Sequence, residues 1–260
     1  MENSISVCQL LREPDAFFER VRRGQVTQTQ TIWLAVLSAL CLAVFGSVVG
    51  LAHSPWQAIS SALKMPALVM GVGLLCLPAL YLFSLAVGTR LTMTQVAAVL
   101  LAGVSVTSVL LLGLAPVIVV FVFTSSNYAF LQLLAVASVV VTACIGLYYL
   151  WRGVEHVKLF ERANSGSRRL MMGAWCTLYA FVGSQIGWRL SPLVGDPSQP
   201  FFWLQPSHDN LYVDVVHALE SALGWQVTAF GSQPMWLGGL CFLPLVLLVV
   251  SAGLATFEEA

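Results

Sequence analysis

Polar and apolar residues are segregated along this chain by whole segments rather than by single faces. Apolar stretches run from Ile32 to Ala52, Met65 to Val87, Val96 to Phe123, Tyr128 to Trp151, Leu170 to Gly187 and Trp236 to Phe257. Crossing a hydrocarbon layer roughly 30 Å thick takes about 20 such residues in a helix. Inside lipid the backbone finds no water, so each run must bond its own amides and fold as a helix. The pattern predicts an all-α, polytopic transmembrane helical bundle with six spans. The third run is long enough to tilt or bend, and Pro116 can supply the bend.

Two connections break this regime. Residues 9–23, QLLREPDAFFERVRR, read as an amphipathic helix begun at Pro14, with Phe17, Phe18 and Val21 on one side and arginines able to snorkel, lying on the inner surface. The stretch from Arg189 to Gln233 is the one sizeable external connection. Within it Leu211, Val215, Ala218 and Ala222 recur at helical spacing, which predicts an external interfacial helix across Asn210 to Leu223. The expected organisation is a cytoplasmic amphipathic segment over 1–31, a five-span bundle over 32–187, the external connection over 188–235, and a sixth span with a short tail over 236–260. The 31 residues before the first run carry four arginines and four acids, which is not the short basic lead of a cleaved signal. No internal repeat supports an inverted-repeat transporter.

Charge sets the orientation. Arg12, Arg20, Arg22, Arg23, Arg90, Arg152, Lys158, Arg162, Arg168 and Arg169 fall on one side of a six-span chain, whereas only Lys64 and Arg189 fall on the other. Positively charged connections stay in the cytoplasm, so both termini are expected there. A five-span chain whose last run only dips into the membrane keeps the same count and moves the carboxyl end outside.

Composition narrows the function. Of 260 residues, 58% are hydrophobic and 9% are charged, with no net charge, so the positive field of a nucleic-acid binder is missing. Cys41, Cys76, Cys144, Cys176 and Cys241 lie in apolar runs and Cys8 precedes them, without the spacing of a disulfide framework or a zinc site. No Asp, Glu, Lys, Arg or His occupies the middle of any run, which removes the usual carriers of proton relays and ion coupling. Neither His-Glu-x-x-His nor Gly-x-Ser-x-Gly occurs. His208, Asp209, Asp214, His217 and Glu220 form the densest acid and histidine group, and their spacing is that of the polar face of an amphipathic helix. No catalytic, cofactor or metal residue is assigned.

Small residues mark candidate packing positions instead. Gly46 and Gly50 in the first run and Gly183 and Gly187 in the fifth form Gly-x-x-x-Gly pairs, and Ala98 and Ala102 form a small pair in the third. Gln185, four residues before Arg189, can bond across helices. Phe17, Phe18, Arg20, Arg22, Arg23, Arg168 and Arg169 are the candidate contacts to a cytoplasmic partner or to lipid. Pro78, Pro116 and Pro244 each free a carbonyl within a run.

The stretch from Lys64 to Gly153 contains KMPALVMGVGLLCLPALYLFSLAVGTRLTMTQVAAVLL, GLAPVIVVFVFTSSNYAFLQLL and YYLWRGV, and an LLREPDAFFERV segment precedes the first run. These resemble the bacterial branch of the YIP family of multi-pass membrane proteins over about half the chain. The resemblance implies a cytoplasmic amino terminus, closely spaced helices and a bacterial cytoplasmic membrane. Eukaryotic members act in vesicle traffic with small GTPases; bacterial members lend no defined chemistry. The last 90 residues depart from the family's five-span pattern. The expected function is a non-enzymatic membrane scaffold or anchoring subunit with a protein partner or a second copy of itself, in contact with membrane lipid. An oligomeric channel or facilitator is the alternative, and an enzyme with its site in the external connection ranks below both.

Overall fold

The computed structural model describes residues 7–86, 91–125, 128–159 and 165–190, together with Trp203. Every regular element among them is helical. Two short helices, α1 (Val7–Arg12) and α2 (Pro14–Arg22), precede five long ones: α3 (Gln28–Gly50), α4 (Pro55–Ala86), α5 (Met93–Thr124), α6 (Tyr128–His156) and α7 (Ser165–Arg189). The sixth apolar run, the external helix, Pro244, Cys241 and the acid and histidine group around His217 lie outside the described residues.

Local chemistry sets the starts of these helices. Thr27 before α3 and Thr92 before α5 each accept a hydrogen bond from the amide three residues on, while Gln30 and Gln95 accept one from the threonine amide in return. Such reciprocal capping boxes satisfy donors that a helix start leaves open. α2 opens on Pro14, whose fixed φ suits a first turn and whose missing N–H is not needed there. It closes at Gly24, where φ is +68°, and where the Gln25 amide returns to the Arg20 carbonyl at 3.0 Å. A left-handed residue is the common way to end a helix, and glycine adopts it without strain. In the amino-terminal segment α2 opens on Pro14, where the sequence places the start of the amphipathic helix, and the short α1 precedes it, with Glu13 between the two.

α3 packs against both α4 and α5, α6 packs on α5, and α7 packs on α4. α1 and α2 form a cap across the start of α5 and the end of α6. One apolar cluster joins that cap to α4, α5, α6 and α7 through Phe18, Leu80, Val96, Val154 and Trp175. A second, built on Leu42, Phe45, Met65 and Leu111, holds α3, α4 and α5 together further along. Outward positions are apolar as well: Trp33 and Leu40 on α3, Leu74 and Leu75 on α4 and Val120 on α5 are exposed. Burial and exposure are both apolar, which is how a helix surrounded by hydrocarbon reads.

Candidate functional site

Two polar constructions stand out against this apolar frame: the seat of the cap, and a row of side chains buried in α4. The cap is fixed by three kinds of contact. The Arg152 guanidinium, near the end of α6, donates two parallel hydrogen bonds to the Asp15 carboxylate at 2.9 and 2.7 Å, and His156 stands 3.7 Å from the same carboxylate. The Gln95 amide donates to the Val21 carbonyl at 2.9 Å and to the Arg22 carbonyl at 3.3 Å, so a residue that starts α5 also caps the end of α2. Phe18 is fully buried and its ring lies on Gly153, where any side chain would collide with it.

This placement corrects part of the sequence expectation. Phe17 and Phe18 do not offer a surface to a partner or to lipid, because the ends of α5 and α6 already cover them. The outer face of α2 is what remains available. Arg22 and Arg23 are exposed and both bond Glu19, at 2.8 and 2.9 Å. Their guanidiniums, Arg22 first, hold the Glu19 carboxyl down at about 2. Arg20 and Arg168 are half-buried. Arg169 belongs to α7, and its side chain lies outside the described set.

The second construction arises because α4 begins ten residues before the apolar run does, at Pro55 rather than Met65. Ser54 supports that start by accepting from the Gln57 amide at 3.2 Å. The extension brings Lys64, read from the sequence as a residue of an external connection, into the helix and leaves it only 3% exposed. Gln57, Ser60, Ser61 and Lys64 are all buried, and their i, i+3, i+4, i+7 spacing sets them on one helix face. Trp56, Ile59 and Leu63, on the other side, are exposed at 70%, 53% and 59%. The segment is amphipathic in reverse, polar inward and apolar outward. The Gln57 side chain donates to the Ser61 hydroxyl at 3.4 Å. The Ser60 hydroxyl is buried without a hydrogen-bond partner among the described residues.

Packing positions fare unevenly. Gly46 and Gly50 are buried in the contact of α3 with α4. A Cβ on Gly46 would strike the Ser61 carbonyl oxygen, and one on Gly50 would come within 2.6 Å of the Gln57 carbonyl oxygen. Gly183 has more room, since a Cβ there would meet the Val72 methyls at 3.8 Å. Gly187 is buried and Gln185 is exposed, so Gln185 does not bond across the described bundle. The sequence reading passed over Gly103 and Gly146, which meet across α5 and α6. A Cβ on either would fall within 2.9 Å of the other's carbonyl oxygen. Nearby, hydroxyls link helices: Ser38 to Ser105 at 2.7 Å, and Thr107 to the Thr142 carbonyl at 3.3 Å. Ala98 and Ala102 are buried as expected.

No group of three or more His, Cys, Asp or Glu residues suited to a metal occurs among the described residues. Four helices, Gln28–Gly50, Pro55–Ala86, Met93–Thr124 and Phe130–His156, are long and apolar enough to cross a membrane, and the chain is an integral membrane protein of the helical class. α7 covers the fifth apolar run but is not one of these four. No protein-family model, curated protein or solved structure matches the chain.

Proposed function

We propose that the chain is a non-enzymatic integral membrane scaffold or anchoring subunit, and that it recruits a protein partner at the end of the bundle covered by α1 and α2. That end faces the cytoplasm in this reading, within a bacterial cytoplasmic membrane, as ten of twelve basic residues and the YIP-like stretch together favour. The observation that carries the proposal is the way the cap is held. Its apolar face is consumed by Phe17, Phe18 and Val21 packing inward, and the Asp15 to Arg152 pair and Gln95 fix its position. An interfacial anchor would keep its apolar face for lipid. A helix clamped on its own bundle, with Arg12, Glu13, Arg22 and Arg23 left exposed, instead presents a platform of mixed charge in fixed geometry. Charge complementarity of that kind selects a partner and orients it.

The test uses the full-length protein in a mild detergent. Affinity capture is expected to retain a stoichiometric soluble companion, and the double variant Arg22→Glu, Arg23→Glu is expected to lose it while inserting normally. Gln25→Cys, in a background without native cysteines, should react with a membrane-impermeant maleimide only from the cytoplasmic side. Labelling from outside, or capture indifferent to the charge reversal, overturns the reading. The buried row of α4 favours a second one, an oligomeric channel or facilitator, since ionisable residues within a span mark solute paths. Solute flux in liposomes that Lys64→Met abolishes would put that reading first.

A further inference from the structure

The break between α1 and α2 and the last turns of α6 enclose an open groove, whose lining includes Leu11, Arg12, Glu13, Asp15, Tyr149 and Arg152. We propose that this groove binds the headgroup of a zwitterionic aminophospholipid, with the phosphate between Arg12 and Arg152 and the primary ammonium on Glu13. Charge selects this class. The lining carries two guanidiniums and two carboxylates, so a simple anion meets as much repulsion as attraction, and so does a simple cation. A phosphate joined to an ammonium by a short link matches both signs at once. The roles within the groove follow from which groups are already paired. Asp15 accepts two bonds from Arg152, at 2.9 and 2.7 Å, and has His156 at 3.7 Å on the same carboxylate. A guanidinium fork carries more donors than those two, so Arg152 can serve a phosphate oxygen as well. Arg12 and Glu13 are exposed and make no ion pair among the described residues, and the Glu13 side chain does not cap α2. They are the opposite charges left to receive a ligand.

Position identifies the bilayer as the source of that ligand. Val141, Ile145, Tyr148 and Arg152 follow one another at i, i+4, i+7 and i+11 of α6, which sets them on one helix face. Val141, Ile145 and Tyr148 are exposed, so this is a face that the span turns to hydrocarbon, and it leads into the groove. A lipid whose headgroup sits in the groove lays an acyl chain along that stripe. Tyr148 and Tyr149, with ring centroids 5.7 Å apart, stand at its headgroup end, where tyrosines collect in membrane proteins. Arg22 and Arg23 lie at the other end of α2 and stay available to a protein partner.

The experiment places the full chain in detergent with equal amounts of phosphatidylethanolamine, phosphatidylcholine and phosphatidylglycerol and reads the retained lipid by native mass spectrometry. No partner protein is present, so the outcome is independent of recruitment. Phosphatidylethanolamine is expected to be retained about tenfold over either of the others. Glu13→Gln should bring it down to the level of the choline lipid, whose quaternary ammonium has no N–H to donate, and Arg12→Gln should lower the retention of both. A second measurement does not depend on either variant folding. Leu11, in the groove, and Leu74, exposed on α4, are separately replaced by a diazirine-bearing amino acid, in liposomes of the same three lipids. Adducts at Leu11 should be enriched in phosphatidylethanolamine, and those at Leu74 should follow the composition of the bilayer. Equal retention of the three lipids, a preference that survives Glu13→Gln, Leu11 adducts that follow the bilayer composition, or displacement of the lipid by glycerophosphoethanolamine at equal concentration overturns the proposal.

Discussion

The contact of α3 with α4 and the cleft between α4–α7 and α5–α6 are built from the same few residue types, yet one is closed and the other is open. Gly46 and Gly50 let the first two helices approach until backbone meets backbone, and the polar row Gln57, Ser60, Ser61 and Lys64 is buried alongside. In the cleft Leu68, Val72, Leu147 and Trp175 meet without small residues that interlock across it, and about 190 Å³ stays unfilled by the described helices. Apolar surface does not by itself drive helices together in lipid, because the tails are as apolar as leucine. What closes an interface there is close approach and polar bonding, and the second region lacks the first of these.

That contrast can be broken most severely at Gly50. Gly50→Leu drives a side chain into the Gln57 carbonyl and the Ala58 backbone, and overpacking of this kind costs about 3 kcal/mol. Unfolding in mixed micelles should show that loss, with α3 and α4 separating first in hydrogen exchange. Next comes the orphan hydroxyl. Ser60→Ala removes a buried group without a described partner and should stabilise the bundle by about 1 kcal/mol; a loss of similar size would mean that the hydroxyl is bonded. On the open side Gly183→Ala meets only ordinary contact at 3.8 Å and should gain about 0.5 kcal/mol from helix propensity. If Gly183→Ala costs as much as Gly50→Leu, the two regions do not differ as described.

The smallest effect belongs to the cap, which takes part in neither interface. Arg22 and Arg23 lower the Glu19 carboxyl from 4.5 to about 2. A depressed acid stabilises the fold above its unfolded value, and that contribution disappears as pH falls through the folded value. Amide shifts of α2 should therefore change between pH 4.5 and 2, and Glu19→Gln should flatten the change.

Hydropathy made the long helices legible because each run is apolar throughout, so no facing pattern was needed to find them. The start of α4 was not legible by the same means. Gln57, Ser60, Ser61 and Lys64 lower the mean, although their spacing is as regular as that of any apolar stripe, and Trp56, Ile59 and Leu63 supply the outward face. A search for inverted amphipathicity would have found it. Gly46 and Gly50 could be read from their spacing, whereas Gly103 and Gly146 could not, since each stands alone in its own helix and only the crossing of α5 with α6 pairs them. Phe17 and Phe18 were recognised as an apolar face, but its cover is the bundle end, specified by Gly153, Arg152 and Gln95 far along the chain. The capping signatures Thr27-x-x-Gln30 and Thr92-x-x-Gln95 were present in the sequence as signals for that region and went unused.

The inward polarity of α4 also bears on how the chain enters the membrane. Lys64 lies in the first third of α4, and a lysine in a helix that partitions alone from the translocon costs up to about 3 kcal/mol at the helix centre and less toward its end. Lys64 avoids that exposure only if its inward face is already covered. The four residues from Leu51 to Ser54 join α4 to α3, the helix whose Gly46 and Gly50 receive Ser61 and Gln57. Partitioning of the two as a preformed hairpin, rather than one after the other, is the route this geometry favours.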